Sequence, residues 1–208
     1  MSSPQIGLLI QNAKGKVALG FDGIIDEVWE VVDSRASKDD YTVIKKMSEF
    51  GRMITERGTG GLAKERLLKR RRSGGFTGNV GRAVGELLPH NTTMVGMYGK
   101  PEIDPIYKEY DGKCSLISIA DPVICNILEF SDGKIMMTHA APMLNFTWND
   151  AENILQDDAV RRSFQEAQVI CLGYWSNMPD FDSIVNGILQ EKYIGKEKKR
   201  LFLDFANL

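Results

Sequence analysis

The chain has 208 residues, enough for one large domain with its own core or for part of a larger protein. Hydrophobic residues make up 43% and charged residues 26%, as in ordinary globular proteins, and the net charge of −2 speaks against general polyanion binding. Two distant histidines and three scattered cysteines without a C-x-x-C argue against a zinc site, a Ser-His triad and a disulfide framework.

The early apolar run at 6–10 (IGLLI) is too short for a signal segment or a membrane span. Together with the cysteines, which lie in apolar strand-like segments and read as buried thiols, it points to a reducing, cytoplasmic setting. Residues 16–21 (KVALGF) predict a buried first strand that ends in the turn signal Asp22-Gly23. Ile25, Val28, Val31 and Val32 then alternate with acids, a pattern open to either a strand or a short helix. Residues 34–40 read as a loop, and 41–57 as a helix with Val43, Ile44, Met47 and Phe50 on one side. The basic run Lys64, Arg66, Lys69, Arg70, Arg71 and Arg72 has no interleaved aromatic residue to stack bases. It is expected to be a solvated face or loop rather than a nucleic-acid site, although a phosphate-bearing ligand stays open because the run abuts a glycine turn.

That turn is the most informative stretch: Ser73-Gly74-Gly75-Phe76-Thr77-Gly78-Asn79. Glycines tolerate positive φ and let a ligand approach bare main chain. The helix that follows presents unpaired N–H groups and the positive end of its dipole. Asn79 adds one donor group and one acceptor in the first turn. A ligand with several hydroxyls, or an anion, suits such a place. Val80, Ala83, Val84, Leu87 and Leu88 predict the helix's apolar stripe.

A strand at 92–98 follows, then a short one at 115–119, and a hairpin of 123–130 and 134–138 around Ser131-Asp132-Gly133. Residues 149–168 predict one helix capped by Asn149 or Asp150. A strand at 169–173, a helix at 180–193 and a strand at 200–205 complete the series. This alternation predicts an α/β fold with a parallel sheet covered by helices, to which the hairpin adds a small antiparallel flap. Ligands of such sheets bind beyond the carboxyl ends of the strands, where Asp22, Gly99 and Asp204 fall. Asp22 and Asp26 could each accept hydrogen bonds from sugar hydroxyls; each could equally serve only a turn or a cap.

In order along the chain, the segments 20–26 (GFDGIID), 73–79 (SGGFTGN), 94–99 (MVGMYG), the 123–138 hairpin and 203–207 (LDFAN) resemble the ribokinase-like, PfkB-type carbohydrate kinases. The resemblance implies a ribokinase-like α/β fold over 1–208, a single domain with a β lid near 123–138. It also implies transfer of the γ-phosphoryl of ATP, with Mg²⁺, to a sugar or nucleoside hydroxyl. Asp22, Asp26, Gly74, Gly75 and Asn79 take the substrate side in this scheme. The spacing leaves open which aspartate meets the substrate. A homodimer through the lid strands is a further implication of the resemblance. The family's Gly-Ala-Gly-Asp-like motif, with its catalytic base, does not occur here. The expectation is therefore an N-terminal part of the fold, inactive alone, with no catalytic or metal-binding residue of its own and its base downstream of Leu208. The alternative is a non-catalytic sugar- or nucleotide-binding module on the same fold.

Overall fold

A computed structural model describes residues 15–206. The apolar run at 6–10, and Asn207 and Leu208, lie outside the described residues. The strands are β1 (Val17–Phe21), β2 (Ile24–Arg35), β3 (Tyr41–Val43), β4 (Arg66–Gly74) and β5 (Thr92–Gly96), then β6 (Cys114–Ser118), β7 (Val123–Phe130), β8 (Gly133–His139), β9 (Val169–Leu172) and β10 (Arg200–Leu203). The helices are α1 (Met47–Arg57), α2 (Gly75–Leu87), α3 (Ala141–Leu144), α4 (Trp148–Ile154), α5 (Asp158–Glu166), α6 (Phe181–Ile188) and α7 (Glu191–Ile194). The chain folds into two compact units, one made of 15–24, 73–123 and 140–206, the other of 25–72 and 124–139.

The first unit holds a five-stranded sheet in the order β10-β9-β1-β5-β6, with every pair parallel. All five residues of central strand β1 are buried, the continuous apolar signature of a strand covered on both faces. Phe21 packs on Phe146 and on Phe164 of α5 at centroid distances of 5.5 and 5.7 Å. Helix α2 packs on β1 and β5, but not by its predicted stripe. Its buried face is Gly75, Phe76, Thr77, Gly78, Gly81 and Gly85, whereas Leu87 is 44% exposed. A Cβ on Gly81 would stand 2.4 Å from Met94 Sδ. The helix therefore lies against the sheet through its glycines, a face that a count of apolar side chains cannot see.

Three predicted helices are corrected. Within 41–57 only α1 is helical; the β-branched and aromatic Tyr41–Val43 pairs antiparallel with β2 as strand β3. The single helix expected over 149–168 is two, because two separate caps exist. Thr147, not Asn149 or Asp150, is the N-cap of α4, in a capping box with Asp150, and Asp157 caps α5 by accepting from the Ala159 and Val160 N–H groups. The stretch 180–193 likewise breaks at extended Gln190 into α6 and α7.

The second unit is a sheet in the order β3-β2-β7-β8, with β4 also paired to β2. The open choice at 25–32 is settled as strand. The hairpin pairs β7 with β8 from Ile124↔His139 to Phe130↔Gly133. Its core is small: Val31, Ile44, Leu128 and Phe130, with Trp29, Phe50, Met53 and Ile135 packed against them. From Arg66 on, the basic run, expected as a solvated face or loop, is the largely exposed strand β4, and acids of other strands meet it. Lys69 pairs with Glu30 at 2.9 Å, Arg70 with Glu129 at 2.7 Å and Arg71 with Glu27 at 3.1 Å. Arg66 lies over the Trp29 ring at 4.1 Å.

Candidate functional site

The glycine turn is held from a distance. Gly74, the N-cap residue of α2, has no side chain to accept the orphan N–H groups of the first turn. Asp22, just past β1, does this instead: its Oδ1 accepts from the Thr77 N–H at 2.9 Å, while Thr77 Oγ1 donates to the Asp22 carbonyl at 2.8 Å. Gly75 has φ +77°, and a Cβ there would stand 2.1 Å from Asp22 Oδ2, so both backbone and space require glycine. Asp22 is fully buried, and its Oδ2 has no partner. Burial pushes its carboxyl up to about 7, against the lowering effect of the Thr77 and Phe76 backbone N–H groups.

A second set of ties surrounds the same turn. The Tyr110 hydroxyl donates to the Gly78 carbonyl at 2.8 Å. Arg82 donates from Nη2 to the Ser73 carbonyl at 3.1 Å and to Ser73 Oγ at 2.8 Å, and from Nε to Glu109 Oε2 at 3.0 Å. Ser73 Oγ also donates to Glu109 Oε1. Burial raises the Glu109 carboxyl, but the Arg82 and Ser73 hydrogen bonds outweigh it and hold the group below its usual value. The remaining Arg82 nitrogen, Nη1, donates to Asn79 Oδ1 at 3.2 Å.

Beside the turn lies an open depression of about 390 Å³, lined among others by Gly75, Phe76, Asn79, Tyr174, Phe202 and Asp204. Asp204 follows β10, at the carboxyl end of the parallel sheet. Phe202 stacks on Phe76 with centroids 6.0 Å apart and planes 11° from parallel. An amide, a carboxylate, bare glycine backbone and aromatic faces together suit a polyhydroxylated ligand: donors and acceptors for hydroxyls, apolar faces for C–H groups.

Of the residues predicted from sequence, Asp22, Gly74, Gly75 and Asn79 meet at the head of α2. Asp26 lies in the second unit, 15% exposed, with its Oδ2 3.7 Å from Arg72 Nε. Sequence reasoning missed Ser73, Arg82, Glu109 and Tyr110. Arg82 stands three residues after Asn79 on one helical face, a spacing that could have flagged it. Glu109 lies 27 residues further on, with no local signal. Among the described residues no group of three or more His, Cys, Asp or Glu side chains could hold a metal ion. Among the described residues no helix is long and apolar enough to cross a membrane.

Comparison with known proteins gives a concordant picture. A family model described as prokaryotic ketohexokinase matches residues 7–196. A ketohexokinase of Haloferax volcanii is 28% identical over 198 residues, which is 93% of this chain and 52% of that protein. The chain thus spans about half the length of the curated relative it matches. A carbohydrate kinase from Agrobacterium tumefaciens superposes with a TM-score of 0.55 at 12% identity, covering 91% of this chain and 53% of that one. A ribokinase from Arabidopsis thaliana, solved with ribose and ATP, gives 0.50 at 15% identity, with coverages of 94% and 55%. The two structural likenesses establish the fold as the α/β plan of these kinases, a mostly parallel sheet flanked by helices.

Proposed function

The chain belongs to the prokaryotic ketohexokinase family, and from that premise we propose that it supplies the sugar-binding side of a kinase that moves the γ-phosphoryl of ATP onto a ketohexose hydroxyl. The single observation that carries this reading is the depression at the head of α2, where Asn79, Asp204 and the Gly75 backbone converge. Phosphoryl transfer asks a protein mostly for positioning and charge stabilisation, so holding the sugar hydroxyls in one orientation is a substantial share of the work. Asn79 and Asp204 hold the hydroxyls. Gly74 and Gly75 let the backbone come close. Asp22, fully buried, acts by fixing the turn rather than by touching sugar. None of these residues is assigned as the catalytic base.

Calorimetric titration of the chain with fructose, followed by a phosphorylation assay with ATP and Mg²⁺, tests the proposal. Saturable fructose binding that Asn79→Ala weakens would support it, with or without turnover. Formation of a phosphorylated product would exclude the rival module that holds sugar without catalysis. No fructose binding by the folded chain would end the proposal.

A further inference from the structure

Asn79 carries one acceptor and two donors on the same flat group, and a ligand sees whichever end faces it. Arg82 decides this. Its guanidinium has five donors and no acceptor, so only the oxygen of the Asn79 carboxamide can lie 3.2 Å from Nη1. The guanidinium is itself held on its other edges. Nε and Nη2 both donate to the Glu109 carboxylate, at 3.0 and 3.1 Å, and Nη2 also reaches Ser73 at 2.8 and 3.1 Å. Ser73 is fully buried and is the penultimate residue of β4, directly before the glycine pair. The fork has no freedom to swing away without breaking the Glu109 pair, since a bidentate guanidinium–carboxylate contact fixes orientation as well as distance.

The geometry points to Arg82 as a positioning residue. Anchored by Glu109 and Ser73, it holds Asn79 Oδ1 on its own side and so turns the Nδ2–H donors of Asn79 toward the depression. The site then selects a ligand oxygen that accepts a hydrogen bond at that place, a hydroxyl lone pair or a ketose carbonyl. Asp204, which lines the same depression, accepts from ligand hydroxyls. Donor and acceptor functions are divided between two residues. A ligand with an ammonium or amide N–H in place of the accepted oxygen is rejected, because two donors would face each other. The ligand half of this inference rests on the proposed ketohexose site; the Arg82–Asn79 half does not.

Two measurements on the whole chain test it. In ¹⁵N-edited spectra, the Asn79 side-chain amide should give a pair of signals distinct from those of mobile asparagines. In Arg82→Met, combined with Glu109→Gln so that the Glu109 charge is not left without its partner, that pair should collapse to the mobile position while the backbone spectrum persists. If it does not move, Arg82 does not hold Asn79. In fructose titrations Asn79→Asp should lose about tenfold in affinity, as much as Asn79→Ala, because aspartate keeps the Arg82 contact but has no donor to offer. Arg82→Met with Glu109→Gln should lose somewhat less. Wild-type affinity in Asn79→Asp would show that the ligand uses the acceptor end, and would overturn the inference. If the wild-type chain binds no fructose, the ketohexose site fails and takes the ligand half with it, while the amide spectrum still decides whether Arg82 positions Asn79.

Discussion

The two units keep their charges in opposite ways. The parallel-sheet unit buries the Asp22 carboxyl beside a glycine turn, with one oxygen tied to the Thr77 N–H and the other without a partner. The antiparallel unit lays its charges along the outside of a sheet, where Arg70, Arg71 and Lys69 each meet an acid from a neighbouring strand. A buried group interacts strongly with whatever faces it, and has no water to fall back on. An exposed cross-strand pair gains little, because solvent and salt screen it and two long side chains must be ordered. The first arrangement serves a site that must be held in one geometry. The second makes a short, polar sheet tolerant of change.

The largest effect should come from Asp22. Its carboxyl titrates near 7 in the folded chain and near 3.8 otherwise. The unfolded chain therefore ionises first as pH rises. Stability attributable to this group is full below pH 3.8, declines as pH climbs from there to 7, and is level above. The shift corresponds to a decline of about 4 kcal/mol at most. Urea denaturation of wild type and Asp22→Asn across pH 4–8 checks this: the difference between the two should grow with pH, and parallel curves would show that Asp22 is not a strained buried acid.

Gly75→Ala comes next. The new methyl would meet Asp22 Oδ2 and would sit on a backbone of positive φ. A loss of about 3 kcal/mol is expected in the same denaturation experiment. A loss under 1 kcal/mol would mean the turn can open without cost. In the antiparallel unit, Phe130→Ala removes the ring that stacks on Phe50 at 5.7 Å in a core of few residues. It should cost about 3 kcal/mol and speed hydrogen exchange in β7 and β8 while amides of β1 and β9 keep their protection. Uniform loss across both sheets would contradict the separateness of the two units. Smallest of all, Arg70→Ala should barely lower the melting temperature, and high salt should erase the difference from wild type. A large, salt-independent drop would remove the contrast drawn above.

Local chemistry made much of this protein legible. The buried β1, the Asp132-Gly133 hairpin and the glycine-led helix α2 each follow from a handful of adjacent residues. Patterns failed where two signals shared one window. Residues 149–168 look continuous to helical periodicity, yet Thr147 and Asp157 each cap a separate helix. In α2 the apolar stripe named the wrong face, because packing there depends on absent side chains.

At the candidate site the same division holds. Gly74, Gly75 and Asn79 stood out because backbone freedom and a first-turn amide are written in consecutive positions. What the sequence by itself determined is the succession of elements and the glycine turn, since these depend on interactions within a few residues. Only the tertiary structure decided that Asp22 caps a helix 55 residues away, that Glu109 and Ser73 lock Arg82 against Asn79, and that Asp204 shares their depression while Asp26 belongs to the other unit. Those partners are brought together by strand pairing and burial, forces that act across the fold and leave no mark at fixed spacing along the chain.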